Sequence, residues 1–325
     1  MTKSTIALMT SGGDVPGLNA AIRAVVRASI YQQHKIIGIE RGYEGLIDGD
    51  FISLNSGSVS NIISKGGTIL KSSRSARFKE KKYRAIAYEQ LKSQNVEHLI
   101  LIGGDGSMRG AEVLAEESDI NVIGIPKTID NDISGTDEAI GFDTAINIAM
   151  EAVDRIRDTA TSHHRLFFVE VMGRNTGYIA FKTGIATGAE GIIIPETHRD
   201  LQLLYEVIEH KKNWKHSSYI VVVAEGDESG GAYQLEKTIH EKYPNIHTGV
   251  SILGHIQRGG SPTCRDRVLA TQLGIGAVEA IQKGLRNVMT GMINNQIHYT
   301  PLKDIQNRPL IIDAPIIEML KILSK

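Results

Sequence analysis

Aspartates set among glycines and small hydroxyls recur in three short segments of this chain: Thr10-Ser11-Gly12-Gly13-Asp14, Gly103-Gly104-Asp105-Gly106-Ser107 and Pro126-Lys127-Thr128-Ile129-Asp130-Asn131-Asp132. Glycine lets backbone N–H groups approach an anion closely, and a helix starting there adds the positive end of its dipole. Phosphate fits such a cradle. Carboxylates beside phosphate repel it unless a divalent cation stands between, so Asp105 and Asp132 read as direct or water-mediated Mg²⁺ ligands. Any one segment alone reads as readily as an ordinary turn, because glycine–aspartate pairs are common turn formers. Three in succession point to a metal–phosphate complex. Asp130, two residues before a second aspartate, is the candidate base or orienter for a phosphoryl acceptor.

Phosphoryl transfer also needs cations around the equatorial oxygens, and Arg74, Arg155, Arg157, Arg165, Arg174 and Arg258 are the candidates. Arg155 and Arg157 sit amid Glu151, Asp154 and Asp158, a setting in which helix arginines usually pair with neighbouring carboxylates. Arg174, in the turn Met172-Gly173-Arg174, is the stronger candidate. His255 and Arg258, in Gly254-His255-Ile256-Gln257-Arg258-Gly259-Gly260, suit a sugar hydroxyl or phosphate better than a metal. His163-His164 lacks partner ligands at metal spacing and reads as a helix end. No G-x-x-x-x-G-K-[ST] occurs, and Gly104-x-Gly106 is followed by Gly110 rather than a glycine at 109. A dinucleotide-dependent oxidoreductase is therefore a remote alternative.

The elements that must position these residues alternate. Short β-branched runs at Thr5–Met9, Lys35–Ile39, His98–Ile102, Asn121–Ile125, Leu166–Val171, Gly191–Ile194, Tyr219–Ala224 and Val250–Leu253 read as strands. Helical spacing lies between them at Leu18–Tyr31, Arg84–Gln94, Met108–Glu117, Thr144–Thr159, Leu201–His210 and Ala232–Tyr243. A further helix is expected to start with Ser261 as cap and Pro262 in its first position, and to run to Lys283. This alternation predicts parallel α/β layers, in which glycine-rich loops after strands meet along one sheet edge.

The 325 residues, 41% hydrophobic and 22% charged, are enough for two packed cores. With 36 basic against 37 acidic residues, no global field favours nucleic acid or an anionic membrane. No run approaches the roughly 20 apolar residues of a membrane span. One cysteine, Cys264, allows no internal disulfide, and Ile6 to Met9 is too short for a signal segment, so a cytoplasmic protein is expected.

Thr10–Asp14, Gly103–Ser107, Thr128–Asp132, Met172–Arg174 and Gly254–Gly260, in this order and spacing, resemble the bacterial-type 6-phosphofructokinase family, over nearly the whole chain from Thr5 to about Arg308. Gly-Gly-Asp-Gly alone is less specific, since NAD kinases and diacylglycerol kinases carry it too. The resemblance implies two Rossmann-like three-layer α/β domains with mainly parallel sheets. The nucleotide domain would comprise residues 1–141 and 256–304, the sugar-phosphate domain 142–255 and 305–325, with the substrate cleft between them. It implies Mg-ATP as donor and fructose 6-phosphate as acceptor. Gly13, Arg74, Ser75, Gly104, Asp105, Gly106 and Ser107 would hold the nucleotide, with Asp105 nearest the magnesium. Asp130 would take the proton from the sugar hydroxyl, and Thr128 and Arg174 would steady the transferring group. Ile129, Met172, Gly173, Glu225, His255 and Arg258 would contact the sugar phosphate, joined by Arg165 from a neighbouring subunit of a homotetramer.

Three departures stand out. The family commonly has an inter-subunit arginine where this chain has Gly249, so weaker sugar-phosphate binding is expected unless another group such as His247 substitutes. Gly106 leaves room for a nucleoside, as in ATP users, whereas Lys127 is a residue often found in pyrophosphate users. The steric signal at Gly106 is the one followed here, with a pyrophosphate-dependent phosphotransferase as the alternative. Arg23, Arg27, Arg157, Gly188 and Glu190 match a diphosphate effector site, yet Ser56, Trp214 and His216 stand where an arginine and two lysines are expected. A reduced or altered effector response follows.

Overall fold

The computed structural model describes residues 4–197, 200–210, 218–228, 230–312 and 316. In chain order the elements are β1 (Thr5–Thr10), α1 (Leu18–Tyr31), β2 (Lys35–Ile39), α2 (Gly42–Asp48), β3 (Phe51–Ser53), α3 (Lys81–Ser93), β4 (His98–Gly103), α4 (Asp105–Glu117), β5 (Asn121–Pro126) and α5 (Phe142–His163). There follow β6 (Leu166–Val171), α6 (Tyr178–Thr187), β7 (Gly191–Ile193), α7 (Asp200–His210), β8 (Tyr219–Ala224), α8 (Gly231–Lys242), β9 (Thr248–Ile252), α9 (Cys264–Gln282), β10 (Val288–Ile293) and β11 (Gln296–Pro301). The chain divides into two units, Met1–Asp143 with Arg258–Arg308, and Thr144–Gln257 with Pro309–Lys325.

The first unit is built on a seven-stranded sheet in the order β11-β10-β5-β4-β1-β2-β3. Its five central strands are parallel; β3 and β11 are antiparallel edges. β1 is buried along its whole length, as an unbroken apolar run demands when helices cover both faces of a sheet. One face packs Met9, Leu99, Leu101 and Val122 against Leu46, Leu91, Met108 and Leu114. The helix pair α1 and α9 packs together at Gly274, where a Cβ would come within 2.7 Å of Ala24 Cβ.

The registers Thr10↔Ile102 and Gly103↔Pro126 bring the carboxyl ends of β1, β4 and β5 to one edge. The three aspartate-bearing segments are therefore neighbours. Backbone bonds tie them: Ser11 N–H donates to Ile102 O at 3.0 Å, and Lys127 N–H to Gly103 O at 3.0 Å.

The second unit carries a four-stranded parallel sheet, β7-β8-β6-β9, with Phe168, Val221 and Val223 packed against Leu204, Leu235 and Ile239. α5 ends at His163, and His164 turns left-handed with φ 50°. No described helix is long and apolar enough to cross a membrane.

The expected start of α9 needs correction. Thr263, not Ser261, caps it, accepting from Asp266 N–H, and the first helical residue is Cys264. Ser261 instead donates its hydroxyl to Ser64 O at 2.8 Å. Pro262 thus precedes the cap. The two hydroxyls flank the same proline, and tertiary contacts decided between them.

Candidate active site

In the first unit a cavity of about 450 Å³ opens at the carboxyl edge of the sheet, lined by Gly12, Gly13, Asp14, Thr68, the segment Lys71–Arg74, and Arg258. Gly12 has φ +84°, a conformation that glycine adopts without strain and that lets the loop turn its amides. The wall at Lys71–Arg74 is stitched to the first loop. Thr10 Oγ1 donates to Lys71 O at 2.6 Å, Ser72 Oγ to Gly12 O at 2.6 Å, and Gly12 N–H to Ser73 O at 3.4 Å. Of this wall Arg74 alone is among the residues expected from sequence; Lys71, Ser72 and Ser73 are additions from the structure. Their signal was of the same kind used for the other loops, small hydroxyls beside cations in a short turn.

Beneath the first loop lies Lys127, 5% exposed, whose Nζ donates to Gly13 O at 2.5 Å. Burial pushes its ammonium down to about 8, and Arg258 pushes the same way, while Asp130, Asp14 and Asp132 pull it up. Asp14, Asp130, Asp132 and Arg258 therefore all act on one buried cation. Asp132 is itself buried at 9% exposure, and its carboxylate makes no hydrogen bond or ion pair among the described residues. Thr128 Oγ1 accepts from Asp130 N–H at 3.1 Å, which sets the turn holding Asp130. Asn131 between the two aspartates is left-handed with φ 52°, clamped by Ala139 N–H at 2.9 Å and Asp137 O at 3.1 Å. Ile129 is 2% exposed and belongs to the core, leaving only its backbone to face a ligand.

The second loop joins the first through a 3.0 Å hydrogen bond from Ser107 Oγ to Ser11 Oγ. Asp105 opens α4 and pairs with Arg109 at 3.0 Å. Gly104 follows an extended path, and at Gly106 a Cβ would have no atom within 4 Å, so this position borders open space. Ser75, next to Arg74, accepts at its hydroxyl from Phe78 N–H at 3.1 Å and hydrogen-bonds the Glu44 carboxylate.

In the second unit the loops after β6 and β8 are knitted together. Glu225 Oε1 accepts from Arg174 N–H at 3.0 Å, and Gln257 Oε1 from Met172 N–H at 2.8 Å. Arg174 is exposed with φ 55°, and its carbonyl would lie 1.7 Å from a Cβ at 226, so only glycine fits there. His255 is exposed in the 3-10 turn Gly254–Arg258. Arg165 is exposed, and its guanidinium has no partner among the described residues. At Gly249 a Cβ would lie 2.6 Å from the Phe167 ring, its cross-strand neighbour. That ring occupies the room an arginine side chain would need, while His247 two residues earlier is exposed.

Arg155 pairs with Glu151 at 2.5 Å, as its surroundings suggested. Arg157 reaches past Asp154 and Asp158 to Glu190 at 3.3 Å and to the carbonyls of Thr187 and Gly188 at 3.0 and 3.1 Å. Arg23 and Arg27 lie on α1 of the other unit, Arg23 half-buried and Arg27 exposed. Ser56 is exposed, and Trp214 and His216 lie outside the described residues. No group of three or more His, Cys, Asp or Glu side chains placed for a metal occurs among the described residues. A hard divalent ion at this edge would rest on one or two carboxylates plus phosphate oxygens.

A family model described as phosphofructokinase matches residues 5–281. The chain is similar to an ATP-dependent 6-phosphofructokinase 2 of Bacteroides thetaiotaomicron, 48% identical over 99% of each chain. It is similar as well to an ATP-dependent 6-phosphofructokinase of Staphylococcus epidermidis, 52% identical over 92% of each. A solved pyrophosphate-dependent phosphofructokinase from Marinobacter aquaeolei superposes with a TM-score of 0.84 over 99% of this chain and 91% of its own; at 22% identity the likeness is one of fold.

Proposed function

The chain belongs to the phosphofructokinase family, and from that premise we infer that it transfers the γ-phosphoryl group of ATP to the 1-hydroxyl of fructose 6-phosphate, giving fructose 1,6-bisphosphate and ADP. The observation that carries the donor assignment is the open space at Gly106, where a Cβ would meet no atom within 4 Å and nothing obstructs a nucleoside. Relatives named for ATP share about half their residues with this chain, whereas the pyrophosphate-dependent neighbour shares its fold.

In this reading Gly13, Arg74, Gly104, Gly106 and Ser107 hold the donor phosphates, and Arg258 adds charge at the cavity wall. Asp132, buried and with no ion pair among the described residues, and Asp105, at the helix start, are a donor set that fits Mg²⁺. The ion when bound neutralises charge across the donor phosphates. Asp130 accepts the proton of the 1-hydroxyl as its oxygen bonds to the γ-phosphorus and the bond to the β-bridging oxygen breaks. Thr128 and Arg174 steady the equatorial oxygens, and Met172, Gly173, Glu225, His255 and Arg258 hold the sugar phosphate. Lys127 is engaged beneath the first loop, which supports reading it as a support of that loop in an ATP enzyme.

A cytoplasmic homotetramer in which Arg165 contacts a neighbouring subunit's sugar phosphate remains part of the proposal, supported by the exposed and unpartnered guanidinium. The effector site is proposed with a weakened response, because Arg157 is already held by Glu190 and two carbonyls.

The test is formation of fructose 1,6-bisphosphate from fructose 6-phosphate and Mg²⁺ with either ATP or pyrophosphate, beside Asp130→Asn. Turnover with ATP alone is expected, and kcat in the variant should fall about 10²- to 10⁴-fold. Turnover with pyrophosphate alone would reverse the donor assignment.

A further inference from the structure

Five charged side chains, none of them used above, form one continuous ion-pair chain in the first unit. Arg41, which precedes α2, donates from Nη2 to Asp48 at 2.9 Å and from Nε to Asp50 at 2.8 Å. Arg77 donates from Nη2 to the other oxygen of Asp48 at 2.9 Å and from Nε to Glu44 at 2.7 Å. Asp48 thus bridges two arginines. Arg41, Glu44, Asp48 and Asp50 all belong to α2 and its flanks; Arg77 alone comes from the segment that leaves the donor cavity.

That segment has two ends. Its near end, Lys71–Ser73, is stitched to the phosphate loop by the bonds described above, and Ser73 Oγ also donates to Arg41 O at 2.7 Å. Beyond Arg74 the anchors are Ser75 on Glu44 and on Phe78 N–H, Arg77 on Glu44 and Asp48, and Phe78 stacked on the buried ring of Tyr43, with centroids 3.8 Å apart. Tyr43 in turn donates its hydroxyl to Ser107 O at 2.7 Å, in the second loop. α2 therefore touches both loops and both ends of the segment that bears Arg74.

We propose that Arg77, clamped on Glu44 and Asp48, is a positioning residue for ATP binding, holding the far end of the Lys71–Arg74 wall so that Arg74 is presented to the donor phosphates before the nucleotide arrives. The inference rests on the ATP reading above, which assigns Arg74 to the donor. Exposed ion pairs contribute little to global stability, and the side chains of Arg77 and Asp48 are 36% and 35% exposed. The clamp acts through preorganisation: a wall fixed at both ends loses less freedom when it binds. The Glu44 carboxyl is held below its usual range, first by Arg77 and then by Ser75, so the clamp is charged at neutral pH. With Arg77 gone, the Phe78 stack and the Ser75 hydroxyl still fasten the chain, and the fold persists while the segment between Arg74 and Phe78 loses its charged clamp.

The experiment compares wild type with Arg77→Met, Arg77→Lys, Glu44→Arg and the swap Glu44→Arg/Arg77→Glu. Each is measured for KM of ATP, KM of fructose 6-phosphate, kcat, Tm, and the dissociation constant of Mg-ATP by calorimetry. Arg77→Met should raise the KM and dissociation constant for ATP about tenfold, as for a competent wall populated about one tenth of the time. KM for the sugar and kcat should stay within about twofold of wild type. Arg77→Lys should recover most of the loss, the swap only the Glu44 half because its glutamate at 77 then faces Asp48, and Glu44→Arg alone should recover none. A parallel rise in both KM values, or ATP binding unchanged in folded Arg77→Met, overturns the proposal; should Arg77→Met fail to fold, Glu44→Arg against Arg77→Lys decides it, equal ATP binding in the two overturning the proposal. Wild type inactive with ATP would remove the functional reading itself, a different outcome from an active wild type with an indifferent Arg77.

Discussion

Lys127 Nζ and the Gly13 carbonyl oxygen stand 2.5 Å apart, so the third loop of the site holds up the first. The contact places a lysine where almost no solvent reaches it, 5% exposed, and burial is the main reason its ammonium is pushed down to about 8.

The sign of the resulting pH dependence follows from linkage. An unfolded lysine holds its proton up to about 10.5, whereas Lys127 in the folded chain releases it near 8. Below 8 the folded state carries the desolvation cost of the charge; between 8 and 10.5 the unfolded state binds more protons, and stability rises with pH. Relative to Lys127→Met, wild type should gain about 3 kcal/mol over that window, the worth of roughly 2.5 pH units. Urea unfolding of both proteins from pH 7.5 to 10.5 measures it, and a constant difference between them would contradict a buried ammonium.

Gly249→Arg alone is expected to destabilise the protein by about 1–3 kcal/mol, because Phe167 fills the space the new side chain needs and must be displaced. Gly249→Arg with Phe167→Ala removes the clash. If the family's missing arginine accounts for weak sugar-phosphate binding, the double variant should lower KM for fructose 6-phosphate by roughly tenfold or more, the usual worth of a charge-assisted hydrogen bond. An unmoved KM in a stable double variant would locate the cause elsewhere.

Thr263→Ala removes the hydroxyl that caps α9, which also donates to Asp143 Oδ2 at 2.6 Å. A loss of about 1 kcal/mol is expected. Ser261→Ala, which loses two exposed bonds, to Ser64 O and from Arg267 Nη2, should stay within about 0.5 kcal/mol of wild type. Denaturant titrations that reverse the order would return the cap to Ser261.

Much of this fold was legible because its signals are local. β2, β6, β8 and α1 have the bounds their periodicity suggested. β3, of three residues, is too short to show a period, and α2 and α6 contain glycines that dilute a helical pattern. The hairpin β10–β11 was missed despite a readable sign: Asn294 and Asn295, left-handed at φ 49° and 61°, make the two-residue turn such hairpins favour.

The sequence by itself determined the parallel α/β class, the three aspartate-bearing loops at strand ends and Asp130 as candidate base, since residue type and short spacing carry that information. Only the tertiary structure decided which hydroxyl caps α9, that Arg157 turns to Glu190, that Phe167 occupies the room beside Gly249, and that Arg77 closes onto Glu44 and Asp48. Each of these joins residues far apart in the chain, or chooses between neighbours of equal propensity. Such choices are made by packing and charge in three dimensions, to which a local pattern is blind.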